Sequence, residues 1–492
     1  MAKRAGPTWE PSEEDYLRIF REQNPWQQTG QVPTALARKV ERPLAKLLPG
    51  RIIRDRPRRY QLILGPRRVG KTTSMYQAVK KMLEQGIDRS RLWWLRLDHP
   101  LLMDFPLGSL AQHVIREGRA TPESPAFLFL DELTYADKWD LWLKTFYDEG
   151  WPIRVVGTSS STAALKKRMF ESGVGRWEDQ YLAPYLFPEY LDLLETGVAI
   201  PVEATLAGTI GACIAGGVRV DALAGARRRF LLTGGFPELL IDRQDMEDEA
   251  SALLQSQRTL RNDAVERAIY IDIPQVFGVN DPKQLERVLY TLAGQVSGVL
   301  SPAGISQGLG VSQPTFDRYL SYLERAFLVF TLSNYSGSEA SVQKRGRKLY
   351  FVDGAIRNAT LQRGLGPLTD PQEMGLLTEN MVAGHLRALG EVGQVRLYFW
   401  RDKNDEVDLI YDHPDEPLAF EVGTSPDHHR RGLKTFEARY PRFRGRCYYV
   451  APEVFARRPD ETGDGIGTLP IDLFLLAVGG QVARELARRL TE

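Results

Sequence analysis

Runs of apolar residues about five long, each followed by glycine, hydroxyl or acidic positions, punctuate the first 190 residues. Tyr60–Leu64, Ala126–Leu130 and Ile153–Gly157 read as strands buried on both faces of a parallel sheet, and Gln180-Tyr181-Leu182 reads as a further strand. A helix opens near Thr73, and this alternation of strand and helix predicts an α/β fold. Ser12, followed by acidic residues, marks an earlier helix start. From about 190 to 280 the period turns helical, with Tyr190–Leu194 and Ala222–Phe230 as its clearest pieces. A periodic helix at Gln284–Ala293 precedes a helix–turn–helix pattern over 301–320. There Gly310 permits the turn, Ser312 caps and Pro314 opens the second helix. Strands follow at Phe327–Phe330, Lys348–Val352, Asp405–Ile410 and Leu418–Gly423, with a helix opening at Thr378 among them.

The strand ends carry the chemistry. Gly65-Pro66-Arg67-Arg68-Val69-Gly70-Lys71-Thr72, followed by Thr73, has the spacing of a loop that wraps phosphates with backbone N–H groups, between a strand and a helix. Lys71 is expected on the β- and γ-phosphates of ATP, and Thr72 on Mg²⁺. Asp131 and Glu132 close the next apolar strand. Asp131 is expected to share the Mg²⁺, and Glu132 to deprotonate an attacking water. A glutamate directly after the aspartate favours a Mg-dependent ATP hydrolase over a kinase. Thr158-Ser159-Ser160-Ser161 adds hydroxyls, with Ser159 the candidate contact to the water or γ-phosphate; plain helix capping is the alternative.

The order of these pieces, with Gly175-Arg176 and the run Leu182–Tyr190, resembles the bacterial and archaeal AAA-type ATPases that carry a C-terminal restriction-endonuclease-like domain. Thr233-Gly234-Gly235-Phe236-Pro237-Glu238 is similar to that family's lid segment. The resemblance spans roughly residues 40 to 475. It implies a P-loop ATPase core, a helical lid, a winged helix and a nuclease-like α/β domain. It also implies that Arg176 acts as an arginine finger at a neighbouring subunit, in a homo-oligomeric, hexameric ring; a surface ion pair is the alternative. Expected domains are an extension over 1–55, the ATPase core over 56–190, the lid over 191–280, the winged helix over 281–352 and the nuclease-like domain over 353–492.

Composition narrows the partners. The 64 Lys and Arg nearly balance the 63 Asp and Glu, so a net charge of +1 gives no overall attraction to nucleic acid. DNA binding must come from local groups. Arg318 on the second helix of the helix–turn–helix pattern, and Lys344, Arg345, Arg347 and Lys348 in a basic wing, are the expected contacts. Protein interaction is the other use of such a module. Arg51, Arg54, Arg56, Arg58 and Arg59 crowd before the first strand and read as a solvated linker, with a phosphate-backbone contact the alternative. Two distant cysteines match no metal spacing and suit a reducing cytosol, and no membrane-length apolar run occurs, so a cytoplasmic protein is expected.

Glu379, Asp408 and Glu421 resemble the metal-binding acids of the nuclease-like domain. The lysine that those enzymes place two residues after the last acid is Gly423 here, with Lys434 the one substitute on the next helix. A degenerate nuclease site without cleavage is the expectation. The sequence thus reads as an ATP-driven DNA motor or remodeller, with branched or junction DNA in repair or recombination as the suggested substrate. Alternatives are an ATP-dependent signalling switch and a defence-linked ATPase or nuclease.

Overall fold

The computed structural model describes residues 11–38, 40–54, 57–160, 175–218, 220, 222–241, 249–336, 346–424, 430–452 and 454–491. Arg56, Ser161, Lys344 and Arg345 lie outside the described residues. The chain divides into two compact units, one taking the chain up to Leu64 and Lys71–Gln180, the other Gly65–Gly70 and Tyr181–Leu490.

The first unit is built on β1 (Tyr60–Leu64), β2 (Leu92–Arg96), β3 (Ala126–Asp131), β4 (Ile153–Ser159) and β5 (Trp177–Tyr181), in the order β2-β3-β4-β1-β5. β1, β3 and β4 pair in parallel, as do β2 and β3. Every residue of β1 and β3 is buried, which explains their unbroken apolar reading and even admits Gln61, whose amide bonds Gln180. The order matters for chemistry: β4 lies between β1 and β3, so its C-terminal hydroxyls fall beside the acids that end β3. Helix Glu13–Gln23 starts at the predicted Ser12, in a reciprocal capping box with Asp15. Just beyond it, Asn24 imitates a strand against β2, donating to the Trp94 carbonyl at 2.9 Å and accepting its N–H at 2.6 Å. The N-terminal extension thereby covers an otherwise open sheet edge.

Among the described residues of the second unit, the elements between Phe187 and Arg325 are all helices, and those after Arg325 are mixed. A helical run continues from Glu249 to Phe277, and its stretches Arg261–Glu266 and Ala268–Asp272 are π-helical. Helices Pro282–Ala293, Pro302–Leu309 and Gln313–Arg325 follow. Gly310 takes the left-handed turn (φ 67°), and Ser312 accepts the Thr315 N–H, as the sequence predicts. Then come β6 (Val329–Asn334), β7 (Arg347–Phe351), β8 (Leu397–Asp402), β9 (Asp405–Tyr411), β10 (Leu418–Val422), β11 (Cys447–Ala451) and β12 (Gly467–Pro470). They form one seven-stranded sheet in the order β12-β11-β10-β9-β8-β6-β7. The expected wing strands are therefore continuous with the C-terminal sheet, which crosses residue 352. Val299 bridges to Lys348, tying the segment before Pro302 to β7. Helix Pro371–Gly393 starts earlier than the predicted Thr378, because Asp370 caps the Gln372 and Glu373 N–H groups and Pro371 suits the first turn. Among the described residues no helix is long and apolar enough to cross a membrane.

Candidate functional site

Asp131 ends β3 and is buried. The Thr72 hydroxyl, in the first turn of helix Lys71–Glu84, donates to its Oδ2 at 2.8 Å; the Thr158 hydroxyl donates to its Oδ1 at 2.5 Å. Burial pushes the Asp131 carboxyl up, while those two bonds and the Lys71 charge pull it down. Glu132 leaves the strand in the left-handed region at φ 52°, and its N–H donates to Thr158 Oγ1 at 2.9 Å. Ser160 donates to Glu132 Oε2 at 3.3 Å. One hydroxyl, Thr158, thus holds both acids in place.

This refines the reading of the hydroxyl cluster. Side chains alternate along a strand, so Thr158 and Ser160 share the face of the acids and Ser159 takes the other. Ser159 is buried and pairs in register with Leu64 of β1. Four consecutive hydroxyl residues carry no phase, and sequence alone could not choose among them.

Gly65–Gly70 belongs to the second unit. A side chain at Gly65 would bring its Cβ within 2.2 Å of the Leu182 carbonyl oxygen, so only glycine allows this approach. Gly70 sits at φ +87° and Val69 is fully buried. Pro237, from the predicted lid segment, lies beside Gly70, and Glu238 binds Arg68. Arg67 forks onto Asp272. Pro66 continues the loop, and Thr73 lies in the first turn of the helix that Lys71 opens.

The residues fit a divalent cation with ATP. A buried carboxylate whose charge is disfavoured, hydrogen-bonded to a threonine hydroxyl, is a hard-oxygen pair; Mg²⁺ is characteristically held by one or two such groups plus phosphate oxygens and water. Among the described residues, no three His, Cys, Asp or Glu groups are arranged to hold a metal by themselves.

Arg176 precedes β5 and donates from Nε and Nη2 to Asp148 at 2.8 and 3.0 Å. These hydrogen bonds, and then the opposite charges, raise the arginine and lower the aspartate.

Arg318 and Arg347 are exposed. Lys348 is a correction. It is buried with 1% of its surface exposed, and its Nζ lies 2.8 Å from Glu379 Oε1, 2.7 Å from Glu406 Oε1 and 2.6 Å from Asp408 Oδ1. A side chain held this way is withdrawn from any phosphate backbone. The expected acids do come together: Tyr350 donates to Glu379 at 2.8 Å, the Val422 N–H donates to Asp408 Oδ2 at 2.8 Å, and Glu421 feels the charges of Asp408 and Lys348. Burial, then the Asp408 charge, pushes Glu379 up to about 7, against the pull of Lys348 and Tyr350; Glu421 is raised well above the carboxylate range, first by burial. Lys434 is half-exposed, 4.0 Å from Asp464, and is not the cation of this cluster. Gly423 has its own reason: a Cβ there would lie 1.9 Å from the Tyr449 hydroxyl, so no lysine fits. Glu406 was missed, although its spacing from Asp408 puts both on one strand face.

A family model described as "AAA domain" matches residues 57–191. Two described as domains of unknown function match 225–365 (DUF8612) and 374–471 (DUF4143). Uncharacterized protein MJ1544 of Methanocaldococcus jannaschii is 23% identical over 388 residues, covering 77% of this chain and 78% of that protein. An uncharacterized Haemophilus influenzae protein is 21% identical over 367 residues, covering 74% and 82%. Among solved structures, the Aeropyrum pernix ORC1 protein in complex with DNA aligns at TM-score 0.29 and 15% identity, covering 70% of this chain and 97% of that one. The ADP form of the Aeropyrum pernix ORC2 protein aligns at 0.32 and 12%, covering 70% and 98%. Residues 57–191 carry a P-loop AAA-type ATPase domain.

Proposed function

We propose that this protein hydrolyses ATP and couples hydrolysis to remodelling of DNA. The observation that carries the reading is the Thr72–Asp131–Thr158–Glu132 chain of hydrogen bonds, which sets one acid beside the Lys71 helix start and turns the other out of the strand. Loop N–H groups and Lys71 bind the triphosphate. Thr72 and Asp131 would hold Mg²⁺, which supplies charge neutralisation to the phosphates when bound. Glu132 accepts the proton of the water attacking the terminal phosphorus, with Ser160 steadying its Oε2. Arg176 is assigned to the nucleotide of a neighbouring subunit in a ring, which requires its pair with Asp148 to open.

The three helices from Pro282 to Arg325 with the β6–β7 hairpin are assigned as a winged helix gripping DNA through Arg318 and Arg347, and branched duplexes are the favoured substrate. The cluster around Lys348 is assigned a structural role, since the cation among its carboxylates is the chain's own.

The test is ATP binding and turnover with no DNA, duplex, single strand and a four-way junction. Lys71→Ala is expected to lose tight binding; Glu132→Gln is expected to bind ATP and turn over roughly 10²–10⁴-fold more slowly. Arg176→Ala is expected to bind normally and regain turnover when mixed with Glu132→Gln. Parental turnover by Glu132→Gln overturns the assignment of the base, and DNA-independent turnover with no DNA affinity overturns the remodelling role.

A further inference from the structure

The two arginines inside the phosphate loop both pair with acids in the helical part of the second unit. Arg67 donates from Nε and Nη2 to the two carboxylate oxygens of Asp272, each at 2.6 Å, with the side chains only 15% and 10% exposed. That is the planar fork-to-fork geometry in which arginine holds a carboxylate most rigidly. Arg68, in the left-handed region at φ 65°, pairs with Glu238 and with Asp263, at 2.5 Å from the latter. These groups are 29%, 45% and 39% exposed, so solvent weakens them and the Arg67 pair is the stronger of the two anchors.

The helix that carries both aspartates is built for this. Asp263 and Asp272 are nine residues apart. At about 100° per residue an ordinary α-helix would turn them roughly 180° apart, onto opposite faces. The π-helical stretches Arg261–Glu266 and Ala268–Asp272, with their i→i+5 bonding, fit about two turns into that interval and bring both carboxylates to the loop. The π-helical bonding thus sits where two acids of this helix meet two arginines of the loop.

We infer that Asp272 is a positioning residue of the phosphate loop: by fixing Arg67 it holds Gly65–Gly70 in the conformation that receives the triphosphate. The inference rests on the ATP reading above. Neutralising Asp272 removes the ion pair that holds the half-buried Arg67 side chain and lets the loop sample conformations that do not bind.

The whole chain decides this, with ATP affinity and the separate KM and kcat measured for Asp272→Asn, Asp272→Glu, Arg67→Asp and the double variant Arg67→Asp/Asp272→Arg. Asp272→Asn is expected to raise Kd and KM for ATP by at least about ten-fold, with a smaller change in kcat. Asp272→Glu and the swapped pair are expected to recover most of the loss. If Asp272→Asn does not fold, the swapped pair alone decides: affinity close to the parent supports the inference, and affinity as poor as that of Arg67→Asp overturns it. An unchanged Kd in Asp272→Asn overturns it alone, whereas no ATP binding by the parent overturns the nucleotide reading and this inference with it.

Discussion

The Thr158 hydroxyl spends its one proton on Asp131 and offers its oxygen to the Glu132 N–H, so both acids depend on a side chain that no motif names. Thr158→Val keeps the shape and removes both bonds. A buried N–H without its acceptor costs about 1–3 kcal/mol. Asp131, already pushed up by burial, also loses the first of the bonds holding it down. Its ionised form, which the proposed cation would need, then dominates only at higher pH. Turnover is expected to fall by about 10–100-fold at neutral pH, with the acid limb of the kcat–pH profile moved upward. Parental kinetics in Thr158→Val combined with a defective Ser159→Val would show that the strand phase is wrong. The placement of Lys71, Thr72, Asp131 and Glu132 was legible because each is set by its spacing from a strand end. Thr158 was hidden because alternation is invisible in a run of hydroxyls. Asp272 was hidden because its partner lies 205 positions away, in a helix whose period is not the usual one.

At the scale of elements, the strands of the first unit were legible because burial on both faces leaves nothing but apolar residues, and the capped helices because their signals are local. The C-terminal sheet was legible strand by strand and illegible in its assembly. β7 lies three places from β9 in the strand order, about 14 Å at 4.8 Å per step in a flat sheet, yet Lys348 touches Glu406 and Asp408. The sheet must curl, and β6 pairs with β8 only at Ser333↔Tyr398 and Asn334↔Phe399. A basic run in the sequence therefore conceals a lysine that turns inward. Removing it should be costly: Lys348→Met leaves Glu379, Glu406 and Asp408 facing one another, at about 3–5 kcal/mol. Protonation relieves that repulsion. Glu379 is held above its ordinary value, so the folded state binds a proton more tightly than the unfolded chain. Its favourable contribution is complete below about 4.5 and is lost as pH rises through about 7. Without Lys348 the Glu379 carboxyl loses a group that pulls it down and rises further, so the penalty measured by urea unfolding is expected to grow from pH 4.5 to beyond 7. A penalty that does not change with pH would mean the acids are already neutral and the lysine is not their counter-charge.

For the molecule as a whole, a net charge of +1 means that no long-range field draws DNA in, so the salt dependence of binding counts local phosphate contacts. The structure reduces the expected set. Lys348 is committed to three carboxylates, while Arg318 on helix Gln313–Arg325 and Arg347 at the start of β7 are exposed. If both touch phosphates of a duplex, replacing both with alanine should weaken binding at every sequence. It should also flatten the plot of log affinity against log salt by about 1.8, two contacts at about 0.9 each. Lys348→Met, where it folds, should leave that slope alone, because a buried ammonium releases no counterion from DNA. The measurement is a titration of duplex and four-way-junction DNA across salt concentrations, with the parent and both variants. A slope unchanged by the Arg318 and Arg347 pair would remove the helix–turn–helix from the DNA interface and leave it to protein contacts. A slope lowered by Lys348→Met would mean that the lysine leaves its carboxylates when DNA binds, and that the curled sheet opens to release it.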